Sequence, residues 1–477
     1  MKEEEYALLD ATGLAGLVAR GEVDPYSPSR AAQQRIARLN PTFNAAVTSI
    51  VPALEMESWH EHLPPFFGVP TLVKDLHTLV KGSALTHGSR FFKGHISSHD
   101  SDLVARMRRA GMSIIGRSNT PEFGINTSTE GAFHGPALNP WNIARSTGGS
   151  SGGAAAAVAS GMVPIAHATD SGGSIRIPAS CCGLVGLKPT RGRIFAGLDE
   201  GEGWHDMFHA FFLTRSVRDV AGLLDCLANQ DGAVPYLAPT MSGTYKELLR
   251  QPCPKYKVGV MRLPPNEVPI DPECELALNR AEAAFSEMGH ELIDMHISIN
   301  GPEMANCFRK VIASSVAATI NAHEKVLKRQ AREDDFEPVV WQMLRLGRGI
   351  DGGELNRATA QLHLMARDIM QTTSRFDLLL TPTLAKAPLP LGELDASTLN
   401  LDVFFQKIFG FAPFTSLFNV TGQPAISLPI HWNQDDLPIG VQCVAGTGCE
   451  DILLHIARDF EYYFDWQKRQ NDLIKRL

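Results

Sequence analysis

Two runs of glycine and serine, Arg145-Ser-Thr-Gly-Gly-Ser-Ser-Gly-Gly153 and Thr169-Asp-Ser-Gly-Gly-Ser-Ile-Arg-Ile-Pro178, lie close together in a chain of 477 residues. Glycine is kept where the backbone takes φ/ψ values that other residues resist, or where it must come close to another group. The stretch between the runs does not read as a flexible linker. Ala154 to Ser160 is alanine-rich and reads as a helix, and Met162 to Ala168 reads as a strand. Residues 145–192 as a whole are rich in Gly, Ser and Ala and almost free of bulky side chains. The pattern predicts two tight turns held at the ends of regular elements.

The rest of the chain supplies a frame for those turns. Residues 1–48 read as helices: Leu14, Leu17 and Val18 recur at helical spacing, and a second helix carries Ala31, Ala32, Ile36 and Leu39 and is expected to stop before Pro41. Short apolar runs between Gly68 and Val80 predict buried strands, Asp102 to Ala110 a helix, and Ser113 to Gly116 a strand. Such alternation points to an α/β fold with a largely buried sheet. From about 270 to 375 the chain reads as amphipathic helices, Ala277 to Met288 being typical. Asp377 to Pro382, Phe418 to Pro429 and Pro438 to Gln442 read as strands with turns, and a closing helix runs from about Asp451 to Tyr462.

Composition narrows the function. The formal net charge is -8, and the longest basic block, Arg106-Met-Arg-Arg109, reads as a solvated helix face, so no nucleic-acid partner is expected. The start Met-Lys-Glu-Glu-Glu lacks the apolar core of a secretory signal. Ala154 to Ala168 is broken by Gly161 and Pro164 and is too short to span a bilayer, so no membrane partner is expected either. The eight cysteines form no CxxC pair and have no histidines at zinc spacing, which reads as free thiols in a reducing cytoplasm.

The glycine runs offer two serines as nucleophiles, Ser150 and Ser174. Serine is weak until a base takes its proton. Successive N–H groups at Gly172-Gly173-Ser174, unobstructed by side chains, can converge on one point, as an oxyanion hole requires. Lys74, Asp170 and several histidines are the bases on offer. Lys74 follows the apolar Val69 to Val73, so its stem would emerge from the core, where burial favours the neutral amine.

These segments resemble the amidase-signature family. Gly148-Gly-Ser-Ser-Gly-Gly-Ala-Ala-Ala-Ala157 and Asp170-Ser-Gly-Gly-Ser-Ile-Arg-Ile-Pro178 are similar to its signature, and Gly68-Val-Pro-Thr-Leu-Val-Lys-Asp75 to its lysine motif. Cys182-Gly-Leu-Val-Gly-Leu-Lys-Pro-Thr190 and Asn419-Val-Thr-Gly-Gln-Pro424 match again downstream, in order. The resemblance implies one domain over residues 1–477, a central mixed β-sheet covered by helices. Its signature core would lie at about 68–192 and a variable, substrate-side helical region at about 195–410.

It also implies roles. Ser174 attacks an amide carbonyl, and Ser150, after a cis Gly149–Ser150 peptide, passes the proton to Lys74. The N–H groups of Ser171, Gly172, Gly173 and Ser174 form the oxyanion hole, and Ser151, Asp170 and Arg176 hold the two glycine loops together. No metal and no organic cofactor are implied. The partner is a small-molecule amide, and a homodimer is the assembly to test. Asn139-Pro-Trp-Asn142, Pro189 to Ile194 and Phe414 to Pro424 look most like the group of 6-aminohexanoate cyclic dimer hydrolase-like amidases, which suggests an aliphatic or cyclic amide. The aromatic segment Ile194 to Leu213, with Phe195, Trp204, His205, His209, Phe211 and Phe212, reads as a pocket wall or as core.

Two other readings use the same residues. Gly148-Gly149-Ser150-Ser151-Gly152 fits the G-x-S-x-G elbow of α/β-hydrolase esterases, which needs an apolar strand before it and a histidine base such as His99, His134 or His167. Asn139 to Thr147 does not read as that strand. A glutamine-hydrolysing amidotransferase subunit would share the Lys and Ser motifs, but usually carries a Ser-Arg-Tyr-Gly stretch where this chain has Arg191-Gly-Arg-Ile-Phe-Ala-Gly.

Overall fold

Strands buried along their whole length dominate the centre of the molecule. The computed structural model describes residues 1–51, 63–195, 203–228, 235–397 and 400–477. The strands among them are β1 (Ala46–Ser49), β2 (Pro70–Lys74), β3 (Ser113–Ser118), β4 (Leu138–Asn139), β5 (Asn142–Ser146), β6 (Ile165–Asp170) and β7 (Val185–Lys188). They continue with β8 (His209–Thr214), β9 (Lys257–Val260), β10 (Glu291–Asp294), β11 (Leu378–Pro382), β12 (Ala425–Trp432) and β13 (Pro438–Ala445). Eleven of these pair in the order β1-β3-β2-β6-β8-β7-β12-β13-β11-β9-β10, while β4 and β5 form a separate ribbon.

The sheet is mixed. β3–β2–β6 and β11–β9–β10 are parallel, and the pairings between them run antiparallel. Every residue of β2, β3, β6, β7, β8, β11 and β13 is buried. Strands enclosed on both sides need no polar alternation, which is why they read as continuous apolar runs.

The helix Gly152–Ala159 packs against β2, β6 and β8, and all of its residues are buried. Its small side chains are a steric requirement. A Cβ on Gly152 would meet Thr147 Oγ1 at 2.1 Å, and one on Gly153 would meet the Asn119 nitrogen at 2.3 Å. Two apolar clusters fill the interior. The larger surrounds the sheet, and the second lies among the helices Gly301–Leu327, Pro338–Gly349, Gly352–Thr373 and Leu401–Phe411. The second cluster reaches Phe123, Ile125, Phe308 and Phe414, beside the glycine runs.

The expected α/β class and the mixed, covered sheet are present, but several elements differ from expectation. The helix Ser27–Phe43 runs through Pro41. The proline gives up one intrahelical bond within the last turn, and left-handed Asn44 (φ 48°) ends the helix instead. Residues 46–49 are strand β1 rather than helix. The segment expected to be strand from Phe418 starts as a helix, Leu417–Thr421, closed by Gly422 at φ 76°. Part of Asn139 to Thr147, read as strand-free, forms the β4–β5 ribbon. A further helix, Trp466–Arg476, follows Glu450–Phe464.

Candidate active site

Lys74 is the last residue of β2 and is fully buried. Its Nζ lies 2.7 Å from Ser150 Oγ, 2.9 Å from Ser151 Oγ and 2.8 Å from Thr169 Oγ1. Among the described residues no carboxylate forms an ion pair with it. Burial pushes its ammonium well below the usual lysine range, and the charge of Asp170 draws it only partly back. A neutral amine has two N–H groups and one lone pair. Ser151 Oγ sits 3.2 Å from the Thr169 carbonyl, to which its own hydrogen can go, so it is free to accept from Lys74. If its two N–H groups go to Ser151 and Thr169, the lone pair of the neutral amine is directed at Ser150.

The first glycine turn is shaped around that contact. The Gly149–Ser150 peptide is cis. Ser150 is 1% exposed, and Gly124 closes over it: a Cβ there would lie 3.1 Å from Ser150 Oγ and 2.6 Å from Leu76 Cδ2.

The second turn follows β6. Asp170 accepts from the N–H of Gly173 at 2.8 Å and of Ile175 at 3.2 Å, which folds the chain back on itself. Arg176 donates to the same carboxylate through Nε at 2.9 Å and Nη2 at 2.8 Å, a two-pronged pair with both side chains fully enclosed. Burial alone would raise the Asp170 carboxyl, but Arg176 and the Asn419 amide carry it below the usual carboxylate range. Ser174 stands half-buried in this turn, its hydroxyl without a hydrogen bond among the described residues.

The fold therefore brings Lys74, Ser150 and Ser151 into contact and sets Ser174 on the neighbouring turn. Two of the expected roles meet particular contacts here. The Gly173 N–H belongs to Asp170, so the amides of Ser171, Gly172 and Ser174 are the ones left without an acceptor among the described residues. Among the described residues the side-chain hydrogen bonds of Asp170 and Arg176 stay within the second turn and reach the last third of the chain. Arg176 reaches the Thr415 carbonyl at 2.8 Å, Gln442 Oε1 at 2.7 Å and Asn419 Oδ1 at 2.6 Å, tying the second turn to the last third of the chain. Ser151 is the residue that links the first loop to β6, through Lys74 and the Thr169 backbone.

Sequence reasoning passed over Thr169, Thr415, Asn419 and Gln442. Thr415 donates to the Gly172 carbonyl at 2.6 Å, and Asn419 to the Asp170 carbonyl at 3.0 Å. Thr169 could have been found as the residue before Asp170 on the same strand, and Asn419 as the polar residue opening Asn419-Val-Thr-Gly-Gln-Pro424. A second buried lysine, Lys188, was also missed. Its Nζ donates to the Pro189 carbonyl at 2.8 Å and contacts neither serine.

The histidines of the elbow reading are elsewhere. His167 Nδ1 accepts from the Lys74 backbone N–H at 3.3 Å, and burial followed by the charge of Lys74 pushes this ring down to about 3. His134 pairs with Asp75 at 3.1 Å, and His99 lies against Ser98. The aromatic segment divides between the two roles foreseen for it. Trp204 and His205 line a cavity, Phe211 and Phe212 are core, and residues 196–202 lie outside the described residues. Among the described residues no group of three or more His, Cys, Asp or Glu is placed to hold a metal, and no helix is long and apolar enough to cross a membrane.

Comparison with known proteins gives a consistent result. A family model described as Amidase matches residues 29–454. The chain is 36% identical to a 6-aminohexanoate-cyclic-dimer hydrolase of Paenarthrobacter ureafaciens, across 98% of this chain and 97% of that protein. It is 30% identical to an acylamidase of Rhodococcus erythropolis, across 98% of each. The solved structure of 6-aminohexanoate cyclic dimer hydrolase complexed with substrate superposes with a TM-score of 0.90 at 34% identity, covering 98% of this chain and 99% of that one.

Proposed function

The chain belongs to the amidase family, whose members hydrolyse carbon–nitrogen amide bonds, and we propose that it does so through an acyl-enzyme on Ser174, with Ser150 as relay and Lys74 as base. The observation that carries this reading is the enclosed Lys74 nitrogen, bonded to hydroxyls from both glycine runs and to no carboxylate among the described residues. A lysine kept for stability would be expected to pair with an anion. This one is arranged as an acceptor for the proton of Ser150.

The steps balance as follows. Ser174 Oγ bonds to the carbonyl carbon, its proton goes to Ser150 Oγ, and the Ser150 proton goes to Lys74 Nζ. The carbonyl oxygen becomes an oxyanion facing the N–H groups of Ser171, Gly172 and Ser174. The C–N bond then breaks, and the amine leaves with a proton returned from Lys74 through Ser150. Water attacks the remaining ester by the same relay in reverse, releasing the acid and Ser174. Asp170 and Arg176 set the backbone of the turn and take no part in proton transfer.

Likeness to the cyclic dimer hydrolase and to the acylamidase supports an aliphatic or cyclic amide as substrate. Residues 1–477 act as one domain in this reading, supported by an apolar cluster that runs from Tyr6 to Ile474. The eight unpaired cysteines favour a reducing, cytoplasmic location, and light scattering tests for a homodimer. The direct test is a screen of small aliphatic, aromatic and cyclic amides, each run beside the Ser174→Ala variant. We expect at least one aliphatic amide to be cleaved by the parent and not by the variant. Cleavage retained within about tenfold in folded Ser174→Ala removes Ser174 from the mechanism.

A further inference from the structure

Two donors of the proposed oxyanion hole, the N–H groups of Gly172 and Ser174, sit on either side of the Gly172–Gly173 peptide. The tilt of that middle peptide sets how the two donors stand to each other. Its own residues do not fix the tilt. The torsions that turn it, ψ of Gly172 and φ of Gly173, both belong to glycines, whose backbone has the widest freedom. Gly173 stands at φ 133°.

Two side chains hold the peptide instead, one at each end. Its N–H donates to Asp170 Oδ1 at 2.8 Å, and its carbonyl accepts from Thr415 Oγ1 at 2.6 Å. Thr415 is the only donor to that carbonyl among the described residues. The threonine is itself anchored. It is fully buried, and its own carbonyl accepts from Arg176 Nη1 at 2.8 Å and from the Phe418 N–H at 3.2 Å. Arg176 also donates to Asp170 Oδ1 through Nη2 at 2.8 Å, so one guanidinium ties both ends of the clamp together. The fit is close on the threonine side, where a Cβ on Gly173 would lie 2.3 Å from Thr415 Oγ1.

We propose that Thr415 is a positioning residue for the reaction. Its hydroxyl, by holding the Gly172 carbonyl, keeps the N–H groups of Gly172 and Ser174 aimed at the point where the substrate's carbonyl oxygen gains negative charge. The inference rests on the acyl-enzyme reading and adds to it a side chain that acts through the backbone. A threonine hydroxyl has one hydrogen to give, and here it goes to Gly172. Without it the peptide keeps only its Asp170 anchor and can swing about that end, turning the flanking N–H groups apart. The loss then falls on the oxyanion and spares binding of a ligand that carries none.

The test uses an aliphatic trifluoromethyl ketone and the carbinol obtained by reducing it. Ser174 Oγ bonds to the ketone carbon, its proton passes to Ser150 and the Ser150 proton to Lys74, and the carbonyl π pair becomes the oxyanion of a hemiketal. The carbinol has the same chain and no carbonyl to attack. Both are titrated calorimetrically into the parent, Thr415→Ala and Thr415→Ser, two variants that differ by the hydroxyl alone. We expect the ketone Kd to rise roughly tenfold to a hundredfold in Thr415→Ala, the carbinol Kd to stay within about twofold, and Thr415→Ser to bind the ketone within about threefold of the parent. Equal weakening of both ligands in Thr415→Ala, an unmoved ketone Kd, or a serine variant as weak as the alanine one overturns the role. Should Thr415→Ala not fold, a crystal structure of the parent's ketone adduct decides. A hemiketal oxygen on the Gly172 and Ser174 N–H groups, with the Gly172 carbonyl still on Thr415, upholds the clamp, and a carbonyl turned away from Thr415 refutes it. Fluorine NMR separates this from the reading beneath it. A parent that forms no hemiketal, or a Ser174→Ala variant that forms the same one, removes Ser174 as nucleophile and the clamp with it.

Discussion

Lys74 can act as a base only when its nitrogen carries a lone pair, so the protonation state of one side chain governs the proposed activity. Burial depresses this lysine well below its usual range, and activity should be lost as pH falls through that depressed value. A pH profile of kcat/KM should therefore show an acid limb that belongs to Lys74. Lys74→Met should abolish turnover in a folded protein, whereas His134→Ala should leave most of it. A histidine variant as inactive as Lys74→Met would return the assignment to an elbow serine. Ser150→Ala should be strongly impaired, since it removes the relay between Ser174 and Lys74. These residues stand out in the sequence because each lies in a short local motif. Gln442 and Asn419 do not, because they meet Arg176 from 266 and 243 residues away, and no local pattern announces such a contact.

At the scale of elements, the turn from β6 into the helix Arg176–Cys182 holds the geometry. Its sequence announced a tight turn, and the structure shows how tight. Gly173 has φ 133°, and a Cβ on it would lie 2.3 Å from Thr415 Oγ1. Gly173→Ala should cost most of the activity even if the protein folds, because the turn must shift and carry Ser174 with it. Arg176→Leu would leave Asp170 as a buried carboxylate without its ion-pair partner. It should lower stability by about 3–5 kcal/mol, measurable by denaturant titration. The 418–421 segment reads as strand in the sequence because its apolar and Thr residues suit either state. Gly422 and the need to present Asn419 to Asp170 decide for a helical turn.

A second element-level test concerns Glu122, which accepts from Ser89 and from the Glu337 N–H. Burial, then the charge of Glu337, raises its carboxyl from 4.5 to about 8. Between those values the folded state holds a proton that the unfolded chain has released. The stabilisation is complete below about 4.5 and is lost as pH rises through about 8. Glu122→Gln should flatten the fall in melting temperature over that window, leaving the slope of the other carboxyls raised by burial, Glu337, Glu461 and Asp219. An unchanged slope would show that Glu122 does not carry the proton.

Over the whole molecule, the sheet and the glycine runs were legible because buried strands and steric glycines leave strong local marks. The helical region was legible as helices but not as a pocket. Its apolar residues face a second cluster shared with Phe91, Phe92 and Phe123 from much earlier in the chain, and amphipathic periodicity does not say which partner a face will meet. The account as a whole depends on a covalent intermediate, and mass spectrometry of the enzyme quenched during turnover of a slow ester tests it most directly. The expected result is the mass of the acyl group on the peptide that contains Ser174, absent in Ser174→Ala and diminished when hydroxylamine is added. An enzyme that turns over with no acyl adduct on that peptide, or with the adduct on Ser150, would contradict the mechanism.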